Sequence, residues 1–242
     1  ALGRCAAYNT SGNYNIFIGK GAGEKQSTGQ HNIGIGNSAG GGDGIVTGCN
    51  NVSIGSSAGL SLTSGVRNVS IGYEAGKKTS TGERNIYIGD RAGCDGTNAS
   101  RNVFLGYYAG AKITGGSNNV ALGFVAGCSV CTGPANIMIG FAAGRVLTTG
   151  GCNVFIGQYA GRYASTGSNN IALGNCAGKC LGACSNNIVI GNEAACCATP
   201  NSAILAIGYR AGKGGSGKNV GFSNIFIGEE SGCINVNGQQ NT

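Results

Sequence analysis

The sequence predicts an all-β chain folded as a single β-solenoid of about 13 coils, and three observations support that prediction. A motif, Asn-(Ile/Val/Leu)-x-(Ile/Leu)-Gly-x-x-Ala-Gly, begins at residues 15, 32, 51, 68, 85, 102, 119, 136, 153, 170, 187, 204 and 224, a step of 17 residues at ten of twelve intervals. Each copy holds two aliphatic residues two positions apart, the period of a strand. Glycine, 49 of 242 residues, concentrates at recurring points of the motif rather than spreading evenly.

Counting the first motif residue as offset zero, offset four holds 13 glycines, offset eight 12 and offset fourteen 8. Collagen requires glycine at every third residue with abundant proline, and only 2 prolines are present. With 41% hydrophobic residues the chain is too apolar for a solvated disordered segment. The exceptions to the motif are few: Ile204 replaces Asn at offset zero, Ser231 replaces Ala at offset seven and Ala195 replaces Gly at offset eight.

Each element of the coil follows from its residues. Offsets one to three read as a short strand. Gly at offset four turns the backbone through a conformation with positive φ. Ala at offset seven is small enough to tuck inward, and a return segment closes at the third glycine. One coil cannot bury its own aliphatic pair, whereas stacked coils place Ile on Ile and Ala on Ala along a shared core. At ~4.8 Å per coil, thirteen coils predict a rod on the order of 60 Å long. Asn at offset zero is expected to form a buried ladder of amide hydrogen bonds. The domain reading is a cap or assembly segment at 1–14, repeats over 15–238 and a polar tail at 239–242.

If offsets one and three face the core, offset two faces outward, and it is unexpectedly apolar. It supplies Phe17, Tyr87, Phe104, Met138, Phe155, Val189 and Phe226, and offsets five and six add Tyr73, Tyr107, Phe124, Phe141, Tyr159 and Tyr209. A contiguous apolar stripe reads as an assembly face, with a second copy of the chain as partner. Offsets nine and ten carry Lys77, Lys112, Arg145, Arg162, Lys179 and Lys213, a basic ridge in a chain of net charge +7. The ridge reads as a solvated face. The alternative is attraction to anionic surface glycans. Nucleic acid is not expected, because most aromatics lie away from the ridge.

Twelve cysteines suggest an oxidising, extracellular setting. Cys180 and Cys197 share offset ten in consecutive coils, within the Cα separation a disulfide allows, and form the intrachain candidate. Cys94, Cys128, Cys196 and Cys233 at offset nine are candidates for crosslinks between chains. Disulfides are preferred over a metal for these cysteines, and no cofactor is expected. Gly72 to Thr79 imitates a phosphate loop but has three residues between its glycines where four are needed. Asn9 and Asn98 are the sequons expected to be accessible. A single His31 and nine carboxylates argue against an enzyme. No apolar run is long enough for a membrane-spanning helix, so no membrane insertion is expected. The first residue, Ala1, suggests a chain processed or incomplete at its start.

The strings Asn-Asn-Val-Ser-Ile-Gly-Ser-Ser-Ala-Gly at 50–59, Asn-Asn-Val-Ala-Leu-Gly-Phe-Val-Ala-Gly at 118–127 and Asn-Asn-Ile-Ala-Leu-Gly-Asn-Cys-Ala-Gly at 169–178 resemble the head repeats of trimeric autotransporter adhesins and the related repeats of phage and virus tail-fibre shafts. The resemblance implies a left-handed β-roll in an extracellular or virion appendage, commonly trimeric. The expected function is therefore structural: a self-assembling, disulfide-stabilised subunit of an extracellular filament, sheath or fibre. An adhesin recognising surface glycans is the alternative, and ice binding a distant third, since Thr is confined to the corners.

Overall fold

The computed structural model describes residues 1–8, 10–197, 203–214 and 223–233. Asn9 and the tail at 239–242 lie outside the described residues. The chain divides into two compact units, residues 1–119 and 120–242. Each is a parallel β-solenoid without helix among its described residues. The first contains β1 (Ile16–Ile18), β2 (Ile33–Ile35), β3 (Val52–Ile54), β4 (Val69–Ile71), β5 (Ile86–Ile88) and β6 (Val103–Leu105). The second contains β7 (Val120–Leu122), β8 (Ile137–Ile139), β9 (Val154–Ile156), β10 (Ile171–Leu173), β11 (Ile188–Ile190), β12 (Leu205–Ile207) and β13 (Ile225–Ile227).

Within each unit consecutive strands pair in parallel with equal offsets opposed, such as Ile86 with Val103 and Tyr87 with Phe104. The longer second and twelfth repeats keep this register, pairing Ile33 with Val52 and Leu205 with Ile225. In the second coil the regular bonding holds as far as Gly42, whose amide donates to the Leu60 carbonyl at 2.8 Å, and the surplus is absorbed between Gly42 and Val46, which returns to the core. At the N-terminus Leu2 bridges Ile18, and the Leu2 amide donates to the Phe17 carbonyl at 2.9 Å. The segment before β1 therefore stacks on it as part of a further coil.

Hydrogen bonding continues well beyond the three-residue strands. In the fourth coil the amides of Val69, Gly76 and Lys78 donate to carbonyls of Asn85, Ala92 and Cys94 in the next coil, while Gly72 and Glu74 donate back to Ile54 and Ser56. The backbone polar groups that a tight coil would otherwise bury unpaired are thus matched between neighbours. The predicted Asn ladder is present. Asn102 donates its amide and its Nδ2 to Asn85 Oδ1 at 3.0 and 3.1 Å, and Nδ2 also reaches Gly116 O at 3.1 Å, tying the start of the coil to its closing corner.

The structure reverses which strand residues face the core. Offset two points inward: Phe17, Tyr87, Phe104, Met138, Phe155, Val189 and Phe226 are buried, and the aliphatic residues on either side of them point outward. These seven residues are core residues, not an assembly face. The physical reason lies in the small residues opposite. A Cβ added at Gly23, Gly93, Gly110 or Gly161 would approach the ring of Phe17, Tyr87, Phe104 or Phe155 to 2.4–2.6 Å, so glycine at offset eight makes room for a large inward side chain. Ala195 is the exception, in the coil where the inward residue is the smaller Val189.

A second inward position lies at offset eleven, occupied by Leu62, Ile113, Val130, Leu147, Ala164 and Leu181, all buried. In some coils its size complements offset two: Tyr87 with Gly96, Phe155 with Ala164, Ala172 with Leu181, Ser53 with Leu62. Phe104 with Ile113 and Met138 with Leu147 are large at both positions, and Ser70 with Thr79 small at both, so the filling is shared between neighbouring coils and not closed within each one. Tyr87 and Phe104 stack at 5.5 Å between centroids, continuing the filling along the unit.

Candidate assembly surface

The outward face of each unit is built from the strand aliphatics at offsets one and three. In the first unit Ile86, Ile88 and Leu105 are 38%, 36% and 38% exposed, and in the second Ile137, Ile156 and Ile188 are 37%, 39% and 39%. Parallel pairing stacks them in rows: Val154, Ile171 and Ile188 along one, Ile156, Leu173 and Ile190 along the other. β-Branched side chains fit such a pleated surface even when half exposed. Their regularity in the sequence therefore reports strand preference and a uniform outer face, not burial.

The aromatic residues at offset five lie outward as expected. Tyr73, Tyr107, Phe124, Phe141 and Tyr209 are exposed, while Tyr159, at offset six, is half-buried. Phe124 and Phe141 stack in parallel at 5.2 Å, and Phe141 meets Tyr159 edge-on at 5.3 Å. The surface therefore combines two aliphatic rows with an incomplete aromatic row.

The basic ridge is partly neutralised. Lys77 and Arg91 both bind Glu74 at 2.8 Å, and Lys213 and Arg210 bind Glu193 at 2.6 and 2.9 Å. Hydrogen bonds from Lys77 and Arg91 hold the Glu74 carboxyl below its ordinary range, and those from Lys213 and Arg210 do the same for Glu193. Arg162 lies over the rings of Tyr159 and Tyr163 at 4.8 and 5.0 Å. Lys112 and Arg145 are exposed, and Lys179 is half-exposed. The loop-like stretch from Gly72 to Thr79 is an ordinary coil corner, its Lys77 engaged with Glu74.

No disulfide joins Cys180 to Cys197, and none is formed by any other described cysteine. Cys176, Cys180, Cys196 and Cys197 lie close enough to influence one another: both Cys180 and Cys196 are affected by charge at Cys197 and Cys176. Among the described residues no group of three or more His, Cys, Asp or Glu side chains is placed to hold a metal. Burial pushes the Cys94 thiol up to about 11, and burial, with the neighbouring Cys197, pushes Cys196 up to about 12. Since the thiolate is the nucleophile, iodoacetamide at pH 8 should label Cys94 and Cys196 at least about tenfold more slowly than exposed Cys5 and Cys152. Peptide mapping of the labelled, reduced protein tests this, and equal rates would contradict the buried placement of the two thiols.

No helix among the described residues is long and apolar enough to cross a membrane. The sequence matches no family model, no curated protein and no solved structure.

Proposed function

We propose that this protein is a structural subunit that assembles with copies of itself through the outward aliphatic face of its solenoid. The observation supporting this reading is the regular exposure of aliphatic side chains on β1 to β6 and again on β7 to β13. At about 60 Å² each, the fourteen aliphatics of the second unit present on the order of 800 Å², the area one partner contributes to a standard stable interface. A flat, repeated face suits packing against an identical face, because each row of one copy can settle between two rows of the other. The proposed setting is an extracellular filament or sheath, where the exposed thiols can oxidise and crosslink neighbouring copies.

Replacing Ile137, Ile156, Ile171 and Ile188 by Thr removes apolar surface while keeping β-branched strand residues. Sedimentation velocity and electron microscopy should show oligomers or filaments for the natural protein and monomers for the variant, with little change in melting temperature. A natural protein that stays monomeric at all concentrations, or a variant that assembles equally well, would refute the reading.

A further inference from the structure

We infer that a column of exposed side chains immediately preceding the Asn ladder in the first unit binds a linear anionic polysaccharide. The column consists of Tyr14, His31, Asn50, Arg67, Arg84, Arg101 and Asn118, one residue per coil, all exposed. Each has positive φ, between 56° and 62°. Their amides are fixed to the preceding coil: Arg67 to Cys49 O at 3.1 Å, Arg84 to Val66 O at 3.0 Å and Arg101 to Glu83 O at 2.9 Å. Three guanidinium groups therefore emerge from a rigid edge at intervals of ~4.8 Å.

The fold does not require arginine there. The same offset in the second unit holds Ala135, Cys152, Asn169, Asn186, Ala203 and Ser223, all with positive φ and none of them charged. Left-handed backbone favours Asn or Gly over a long side chain, and three like charges in consecutive coils repel one another. Some charges elsewhere on the coils are paired, with Glu74 between Lys77 and Arg91 and Glu193 between Arg210 and Lys213. The Arg column has one recorded carboxylate, Glu83, 3.4 Å from Arg84 and itself 46% exposed. Arg67 and Arg101 have no ion pair among the described residues. The column is thus a concentrated positive charge only partly offset by Glu83, with Arg67 and Arg101 left without a counter-charge among the described residues.

A partner must present anions along an extended chain with a repeat close to the coil rise, which describes a polysaccharide carrying a carboxylate or sulfate on its sugars. Guanidinium groups bind such planar or tetrahedral oxyanions through paired N–H donors. Asn50 and Asn118 at either end of the Arg run offer amide donors and acceptors for sugar hydroxyls. Tyr14 and His31, stacked at 4.9 Å and 12°, provide a flat surface beyond Asn50. Single-stranded nucleic acid fits less well, because it needs aromatic platforms interleaved with the charges, and here the rings lie together at one end of the column.

Binding is tested by biolayer interferometry on the full chain with four probes: polygalacturonate, dextran sulfate, neutral dextran and oligothymidylate. Alanine occurs naturally at this offset in the second unit, so the triple variant Arg67→Ala, Arg84→Ala, Arg101→Ala should fold, and circular dichroism checks it. We expect polygalacturonate or dextran sulfate to bind, the stronger identifying the recognised anion. The triple variant should lose at least tenfold in affinity, and a control changing Lys112, Arg145 and Lys179 to Ala should lose less than threefold. The inference is overturned if neither polysaccharide binds, if the control loses as much as the triple variant, or if oligothymidylate binds equally well through the same arginines. This outcome is independent of whether the aliphatic face drives assembly.

Discussion

Gly89→Ala is expected to destabilise the first unit by more than about 4 kcal/mol, lowering its melting temperature by at least about 15 °C. Two costs combine at this position. The backbone has φ +130°, a conformation that a residue with a side chain rarely adopts, and the added Cβ would lie 2.6 Å from the carbonyl oxygen of Gly106 in the next coil. That contact cannot be relieved by rotating a side chain, because the Cβ position is fixed by its own backbone and the oxygen belongs to the backbone of the next coil. The coils would have to separate locally, and the flanking bonds that hold them, from Ile86 N to Asn102 O and from Gly106 N to Ile88 O, both 2.8 Å, would weaken together. Gly228, at the same offset with φ +114°, provides an internal control, since a Cβ there meets nothing within 4 Å among the described residues. Gly228→Ala should incur only the backbone cost, about 1–3 kcal/mol. Thermal denaturation of the two variants separates the terms, and equal losses would show that coil-to-coil contact is not what reserves offset four for glycine.

The same glycine illustrates what could be read from the sequence. A repeat of constant length with glycine at fixed offsets is sufficient to predict stacked coils, parallel strands and equal-offset register, because every coil faces the same neighbours. Asn at offset zero was legible for a similar reason: a polar amide beside a strand, repeated at each coil, has its matching donor and acceptor in the coils above and below. The direction of the strand faces was not. A period of two separates one face from the other but carries no information on which is inside, and the uniform Ile and Val at offsets one and three suggested a core. The better signal was variation. In some coils, such as Tyr87 with Gly96 and Ala172 with Leu181, offsets two and eleven compensate in volume, which residues facing solvent have no need to do. Left-handed backbone at Arg67, Tyr108 and Glu193 was also hidden, since none of these residue types favours it. There the hydrogen bonds from each amide to the adjacent coil override local preference, so the conformation follows from the stack and not from the residue. That is why the Arg column became visible only once its backbone had been placed.

Asn85→Ala should cost about 3–5 kcal/mol, although it removes only a small side chain. Asn85 Nδ2 donates to Asn68 Oδ1 at 3.0 Å and to Ala99 O at 2.8 Å, and its Oδ1 accepts from the Asn102 amide and Nδ2 at 3.0 and 3.1 Å. Truncation leaves the Asn102 N–H and the Ala99 carbonyl without these partners in a fully buried site, and an unpaired buried group costs about 1–3 kcal/mol. The interruption at Ile204 shows which part of the ladder an apolar residue preserves. Its backbone amide still donates to Asn187 Oδ1 at 3.1 Å, but it offers no side-chain acceptor to the next coil. Asn85→Asp tests the donor half separately. The carboxylate can still accept from Asn102 but faces the oxygens of Asn68 and Ala99 where an amide donated. Its neutral form is therefore favoured in the fold, which raises its pKa above the unfolded value of about 3.9. With the folded pKa raised, this variant should be most stable below about pH 4 and lose stability as pH rises through the folded value. Measuring melting temperature from pH 3 to 8, with the natural protein and Asn85→Ala as references that lack this titration, isolates the effect. A flat difference between Asn85→Asp and Asn85→Ala across that range would mean that the ladder does not depend on the donors of its buried amides.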